Sequence, residues 1–133
     1  MTAAEIVGTL LRENAQVTGL VPAVRIKNGQ LPDGVALPAL LVRTVSLIER
    51  QELDRGPNVH TTSRVAVTVR AASYASQVQV IELVRKSIAG WFGAMPDAAN
   101  ISIRSAGTGP DVPGPGNSFE QTTDFRVSFN EPA

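Results

Sequence analysis

Cysteine is absent from the 133 residues of this chain, and histidine, tyrosine and tryptophan each occur once. Without cysteine the chain has no disulfides, thiolate zinc sites or iron–sulfur clusters. The chain also has no excess of charge of one sign, because twelve Lys and Arg residues balance twelve Asp and Glu residues. General electrostatic attraction to DNA or to an anionic membrane is therefore excluded, and any charged contact must be local.

Long apolar runs are also missing, and the amino terminus carries no basic region of the signal-peptide type. No stretch approaches the roughly 18 uninterrupted apolar residues of a membrane span. We expect a soluble product made in the cytosol, without membrane contact. The length, with 43% hydrophobic residues, predicts one globular domain over residues 1–133.

Catalytic and nucleotide-binding signatures are scarce. A zinc site around His60 would need carboxylates that show no ligand spacing. Counting alone does not exclude a triad based on His60, but no Gly-x-Ser-x-Gly elbow is present, which favours a solvated histidine. No phosphate-cradling glycine loop precedes Lys86, and Gly107-x-Gly109 lacks the third glycine of a dinucleotide fingerprint. We expect no enzyme, no cofactor and no bound metal.

Hydrophobic periodicity predicts two helices and four strands. Thr2-x-x-Glu5 has the form of a capping box, and the first helix runs from there to about Asn14. The second helix follows Ser73, a candidate N-cap, and stops before Pro96. Alternating or β-branched residues predict strands at about 40–48, 64–71, 101–104 and 119–129.

The resulting element order is α-β-β-α-β-β. Two hairpins joined by a helix favour an α+β fold with a single, mainly antiparallel four-stranded sheet and two helices packed on one face. Trp91 and Phe92 continue the apolar stripe of the second helix and are predicted to join the core. The other sheet face would be polar and suited to a partner, with the charged residues Arg64, Arg70, Arg104, Asp124 and Arg126 among small side chains.

Two segments between these elements are candidates for contacts. Residues at about 49–60 combine both charges with Gly56-Pro57-Asn58, which predicts a hairpin arm that is either solvated or a subunit contact. Residues at about 107–117 concentrate glycine and proline, which exclude a helix or a central strand. This Gly/Pro loop is either a flexible surface connection or a segment that orders on a partner.

Arginine outnumbers lysine by ten to two. Planar guanidinium groups suit interfaces, whereas lysine is better left in water. A GC-rich genome explains the same skew equally well. Arginines on strands could also contact phosphates, so a small nucleic-acid-binding module is a further alternative, although the balanced charge disfavours it.

Several local strings, taken in their order, carry a family resemblance over nearly the whole chain. They are residues 17–21 (VTGLV), 31–40 (LPDGVALPAL), 64–71 (RVAVTVRA) with Ser73-Tyr74, and 123–129 (TDFRVSF). With the amino-terminal helix, these strings resemble the tail completion, or tail terminator, proteins of long-tailed (siphovirus-type) bacteriophages, prophages and gene transfer agents.

The resemblance implies a structural virion protein, assembled in the bacterial host cytoplasm and located at the head-proximal end of the tail. Such proteins form a homo-oligomeric ring, commonly a hexamer, that caps the tail tube, terminates its polymerisation and docks the tail to the head or its connector. The implied partners are further copies, the tail tube protein and the head–tail connector protein. Genomic DNA would pass through the lumen without specific binding.

Exposure and charge then suggest the contact residues. For contacts between subunits we predict the arm and the polar sheet face, with Arg50, Glu52, Asp54, Arg55, Arg64, Arg70 and Arg126. For axial contacts we predict Asp111, Val112 and Asn117 of the Gly/Pro loop. Three alternatives stay open at this point: a head–tail connector of the same particle, a nucleic-acid-binding module, and a small hydrolase or transferase using His60.

Overall fold

The computed structural model describes residues 1–50 and 58–132. Its α-helices are α1 (Ala3–Glu13), α2 (Ala15–Leu20) and α3 (Tyr74–Ile88). Its strands are β1 (Ile26–Asn28), β2 (Ala39–Arg50), β3 (Asn58–Ala71), β4 (Phe92–Met95), β5 (Ala98–Thr108), β6 (Val112–Gly114) and β7 (Ser118–Pro132). Short 3-10 turns occupy Ala23–Arg25 and Pro115–Asn117.

Helix α1 begins where the sequence predicts. Its N-cap is Thr2, whose hydroxyl accepts a hydrogen bond from the backbone N–H of Glu5 at 3.1 Å. Asn14 ends α1 and also caps α2, since its side-chain oxygen accepts from the backbone N–H groups of Gln16 and Val17. One asparagine therefore produces the sharp bend between the two helices.

The predicted four-stranded, mainly antiparallel sheet with two helices is wrong. The strands form one seven-stranded sheet in the order β1-β2-β3-β7-β5-β4, with β6 paired to β7. The sheet is mixed, because β1 runs parallel to β2 while every other pair is antiparallel. Three α-helices accompany it.

The strands that the sequence did not predict are the three short ones at the margins. Strand β1 has three residues, too few for an alternating pattern. It is held by Arg12 of α1, whose guanidinium donates to the carbonyl of Ile26 at 2.9 and 3.1 Å. Strand β6 contains Pro113, which is tolerated because β6 pairs on one side only. Strand β4 has only four residues, and one of them is Gly93, a residue that weakens a strand.

Strands β2, β3 and β7 form the long antiparallel centre of the sheet. A bulge in β2 between Thr44 and Ser46 inserts Val45 without a partner on β3. Before the bulge, Leu40 and Val42 lie on the side of the sheet that faces the helices. After the bulge, Leu47 lies on that side, because it pairs with Ser63. The bulge therefore reverses which residues of β2 face each side.

The core lies between one face of the sheet and helices α1 and α3. Its largest fully buried side chains include Phe125, Phe129, Ile6 and Leu11. Trp91 packs against this core as predicted, but Phe92 is 71% exposed, so its predicted core position is wrong. Phe92 opens strand β4 at the sheet margin, where no further element covers it within the described chain.

Within residues 1–50 and 58–132, no helix has the length and apolarity needed to span a membrane.

Candidate interaction surfaces

The sheet face opposite the helices carries the arginines that alternation placed there. Arg64 on β3, Arg126 on β7 and Arg104 on β5 are exposed, while their chain neighbours Val65 and Val127 are buried. The separation into an apolar face and a polar face is as predicted, although the sheet is larger. We call this side of the sheet the helix-free face.

Three arginines form a row across the helix-free face. Arg64 pairs in register with Arg126, and Arg126 pairs in register with Arg104. Adjacent strands lie about 4.8 Å apart, and like charges placed directly opposite each other are destabilising. The row is therefore a concentration of positive charge on a chain whose formal net charge is zero.

Only one member of the arginine row has an acidic partner in the part of the chain that the structure describes. Nε of Arg64 donates to Oδ2 of Asp124 at 2.7 Å, and its Nη2 donates to the carbonyl of Ala106 at 3.2 Å. No ion pair or side-chain hydrogen bond involves Arg104 or Arg126 among the residues whose side chains the structure describes, 1–48 and 59–132. Within the described chain, both guanidinium groups remain available to pair with an acidic group of another molecule.

Arg70 lies at the other end of β3 and differs from the row. Its Nε lies 3.7 Å from Oε2 of Glu120, an ion pair too long for a hydrogen bond, and the two side chains are each less than a fifth exposed. The buried Nε has no hydrogen-bond partner among the described atoms. Arg70 is thus engaged mainly within its own chain.

A groove of about 570 Å³ lies on the helix-free face beside the arginine row. It is lined by Ser46, Ile48, His60, Thr62, Ser63, Arg64, Arg126 and Ser128. Nδ1 of His60 shares a hydrogen bond of 2.9 Å with the side-chain oxygen of Asn130, and Thr62 shares one of 3.2 Å with Ser128. The imidazole partner found here is an amide, whereas the Ser-His-Asp triad uses a carboxylate and the Cys-His-Asn variant needs a cysteine, which this chain lacks.

The end of β2 beyond the bulge exposes apolar side chains on both faces. Val45 is 55% exposed, Leu47 53% and Ile48 64%. Sequence analysis missed this surface, because consecutive apolar residues are typical of a strand covered on both sides. Among the described residues these side chains are left in water, Leu47 on the side of the helices and Ile48 on the opposite side. We call residues 43–50 and 58–64 the arm end of the sheet.

The interior side of the arm end is polar. Thr61 and Ser63 occupy the same face of β3 as the core valines and are almost fully buried. The Thr61 hydroxyl donates to Oε1 of Glu131 at 3.0 Å, whereas the Ser63 hydroxyl has no partner among the described atoms. On β3 the apolar core positions therefore end at Val65, whereas the neighbouring strand β7 keeps Val127 and Phe129 in the core opposite Ser63 and Thr61.

The Gly/Pro loop is held by a buried amide. Gln77 of α3 has no exposed surface, and its Nε2 donates to Oδ1 of Asp111 at 2.6 Å and to Oε1 of Gln121 at 3.2 Å. Nε2 of Gln121 donates in turn to the carbonyl of Gly109 at 3.0 Å. With β6 paired to β7, these bonds fix the loop within its own chain.

The loop residues predicted to make axial contacts lie on its exposed surface. Val112 is 45% exposed, and Asn117 is exposed with a positive φ of 61° at the end of a 3-10 turn. Asp111 is exposed as well, although its carboxylate is tied to Gln77. Val112 pairs with Glu120, and this places it on the helix-free side of the sheet.

Part of the predicted arm lies outside the described residues. This holds for Glu52, Asp54 and Arg55, and for the side chain of Arg50, the last residue of β2. Strands β2 and β3 lead to that segment as an antiparallel pair, up to the pairing of Arg50 with His60. Within residues 1–50 and 58–132, no group of three potential metal ligands lies together.

Comparison with known proteins gives a family and a fold. Residues 6–127 match the family model described as tail completion protein gp17. A chain in a solved structure described as the virion of a native gene transfer agent (GTA) particle has the same fold, with a TM-score of 0.68 and 13% sequence identity. The match covers 96% of this chain and 94% of that one. No curated protein sequence matches. The family resemblance read from the sequence is confirmed.

Proposed function

Because this chain belongs to the tail completion protein gp17 family, we propose that it is a structural virion protein that forms a ring at the head-proximal end of a tail tube. The ring, a hexamer in this proposal, ends polymerisation of the tube and docks the tail to the head or its connector. One face of the ring copies the stacking surface of the tube, and the other face accepts no further tube ring. Nothing is catalysed in this role.

The observation that carries the proposal is the arm end of the sheet. Its exposed Val45, Leu47 and Ile48 are three of the large apolar side chains that this chain leaves in water, and they are clustered on one strand. Clustered apolar surface on a soluble chain marks a contact site. A head-to-tail contact through such a site closes into a ring when its rotation divides a full turn.

We place the contacts between subunits on the arm and on the helix-free face. The predicted residues are Arg50, Glu52, Asp54, Arg55, Arg64, Arg70 and Arg126. Arg64 and Arg70 already have acidic neighbours inside the chain, whereas Arg126 has none in the described part. Arg126 is therefore the member of this set best able to pair with an acidic side chain of a neighbouring copy, with Arg104 beside it.

For the axial contact we keep the Gly/Pro loop, with Asp111, Val112 and Asn117. The hydrogen bonds from Gln77 and Gln121 support this role, because a loop fixed within its own chain loses little conformational entropy when it docks. Val112 supplies an exposed apolar side chain at its centre.

The test is polymerisation of tail tube protein with and without this chain. A terminator shortens the tubes in proportion to its concentration and sits at one end of each tube. A head–tail connector of the same particle, the nearest alternative, leaves tube length unchanged and binds only tubes that already carry a terminator. Gln16→Ala, at an exposed position on α2 away from the arm end, serves as a control, because the proposed role predicts tubes of the same length with this variant. Unaltered tubes and bare tube ends contradict the proposal.

The arginine row favours a second candidate function, contact with the phosphates of nucleic acid. Arg104 and Arg126 are exposed side by side without an acidic partner in the described chain. Binding through them would weaken linearly with the logarithm of salt concentration, with a slope near one per phosphate contact. Arg104→Ala/Arg126→Ala should then lower retention on DNA at low salt. Absence of DNA retention by the wild-type chain at low salt rejects this candidate and leaves passage of DNA without specific binding.

A further inference from the structure

We infer that the free edge of β2 pairs with the free edge of β5 in a second copy of this chain, so that one sheet continues from copy to copy. This inference rests on the proposed ring and specifies the contact that would build it. Each of the two edges is open over only part of its strand, and these open parts are the segments 43–50 of β2 and 104–108 of β5.

The edge of β2 is covered only at its beginning. Strand β1 pairs with it as far as Val42, whose carbonyl also accepts from the backbone N–H of Gly29 at 2.9 Å. From Arg43 to Arg50 the strand continues along β3, and no described strand lies on its other side. Alternate backbone N–H and C=O groups of an edge strand point outward and can pair with another chain.

The composition of this edge does not block such pairing. Charged side chains and proline commonly protect edge strands; residues 43–50 contain no proline or lysine, and their charged residues, Arg43, Glu49 and Arg50, stand at the two ends of the segment. The bulge at Val45 is a protective feature, but pairing with β3 is regular again from Ser46 to Arg50. Leu47 and Ile48 would add apolar burial on opposite faces of the extended sheet, where each is now more than half exposed.

The edge of β5 is open over the segment that would pair with the open edge of β2. The residues that precede β5 form hydrogen bonds with its outer edge only as far as Ile103. The N–H of Ile103 donates to the carbonyl of Trp91 at 3.0 Å, and its carbonyl accepts from the N–H of Gly90 at 2.8 Å. The next residues continue along β7 to Thr108, with a bulge between Ser105 and Thr108, and no described strand lies on their outer side. Ser105 and Gly107 there have small side chains or none, and both are exposed, so another backbone can approach closely.

Strand direction supports the match. Strands β2 and β7 run the same way, because each is antiparallel to β3, and β5 is antiparallel to β7. A second copy placed beside the first in the same orientation would therefore bring β2 against β5 as an antiparallel pair. The two edges differ, so the contact is head-to-tail and leads to a ring or an open filament, according to its rotation.

The position of the two open segments fixes an offset between copies. Thr44, Val65, Phe125 and Ser105 lie in one row across the sheet. From this row the open part of β2 extends toward the arm end, and that of β5 extends the opposite way. Neighbouring copies must therefore shift along the strands by a few residues, which is the stagger that closure of tilted strands into a cylinder requires.

Cysteine cross-linking tests this contact on a chain that has no cysteine of its own. The double variant Leu47→Cys/Ser105→Cys, treated with a short bismaleimide at concentrations where oligomers form, should give a ladder of covalent multimers up to the full ring. Each single variant should give at most pairs of chains. A matched control, Gln16→Cys/Ser105→Cys, moves the first cysteine to an exposed position on α2 and should give no ladder.

The possible results separate the inference from the proposed ring. Rings visible by electron microscopy without a ladder from the Leu47/Ser105 variant overturn the edge pairing and leave the ring in place. A chain that stays monomeric at every concentration and beside tail tubes overturns both. A ladder of equal yield from the Gln16 control also overturns the edge pairing, because the cross-links would then report random collision.

A second pair of variants tests the same edge without cross-linking. Leu47→Lys/Ile48→Lys adds charge to both faces of the open β2 edge and should abolish self-association, while circular dichroism stays unchanged. Val24→Lys is the control, since Val24 is 74% exposed on a 3-10 turn away from this edge. If the Leu47/Ile48 variant still forms oligomers at wild-type concentrations, the open edge is not the contact.

Discussion

The two ends of the β2–β3 pair have similar backbone geometry and opposite surroundings. At one end Val42 and Val67 pair across the strands and are fully buried beneath the helices. At the arm end Leu47 pairs with Ser63, and there the exposed side chain is apolar while the buried one is polar. We propose that the first end serves folding and that the second is completed by another molecule.

In this proposal one continuous strand serves both folding and assembly. The bulge at Val45 marks the change, because it reverses the alternation of β2 between the covered part and the open part. Substitutions in the covered part should act on stability, and substitutions in the open part should act on assembly. The predictions below test that division.

The largest effect on stability is expected at the covered end. Phe125→Ala removes a fully buried ring of β7 that packs against the core. The cavity should lower the free energy of unfolding by about 3–5 kcal/mol, measured by urea denaturation. A loss below about 1 kcal/mol would mean that the core is centred elsewhere.

A smaller loss is expected at the Gly/Pro loop. Gln77→Leu keeps the size of a fully buried side chain but leaves Asp111 and Gln121 without their amide donor. The expected cost is about 1–3 kcal/mol, measured by the same unfolding experiment. Gln79→Leu on the exposed side of α3 is the control and should change stability by less than about 0.5 kcal/mol. Equal effects of the two variants would show that the buried amide does not hold the loop.

Relief of repulsion is expected in the arginine row. Arg126→Gln removes the central charge between Arg64 and Arg104. The isolated chain should gain about 0.2–1 kcal/mol at low salt, because like charges on facing strands oppose folding. The gain should shrink toward 1 M salt, where the Debye length falls to about 3 Å. A variant that is less stable than the wild type would show that Arg126 has a stabilising partner.

The smallest effect on stability is expected at the open edge. Leu47→Lys replaces a half-exposed side chain and should change the free energy of unfolding of the monomer by less than about 0.5 kcal/mol. Its stability should therefore match that of the wild type while its self-association is reduced, as measured by sedimentation velocity. A loss above about 2 kcal/mol would show that Leu47 contributes to the core, and it would contradict the division between the two ends.

Sequence reasoning predicted the elements that carry strong local signals. Thr2 and Ser73 cap their helices as expected, and the alternation around Val65 and Val127 places the arginines on the helix-free face. These features depend on neighbours within a few residues. A periodic pattern or a capping side chain is therefore sufficient to predict them.

The features that sequence reasoning missed depend on distant contacts. Strand β1 exists because β2 and Arg12 hold three residues that show no pattern of their own. The exposure of Leu47 and Ile48 on opposite faces of β2 depends on the bulge and on the lack of cover by other described elements, which no local pattern records. The row formed by Arg64, Arg126 and Arg104 required the register of three strands that are not adjacent in the chain.

Hydrogen exchange at the amides of β2 tests the central claim most directly. We predict that self-assembly slows exchange in residues 43–50 and leaves residues 40–42 unchanged, because the first segment gains a partner strand and the second already has β1. Assembly that leaves the exchange of residues 43–50 at its monomer rate would contradict the assignment of the arm end as the assembly surface.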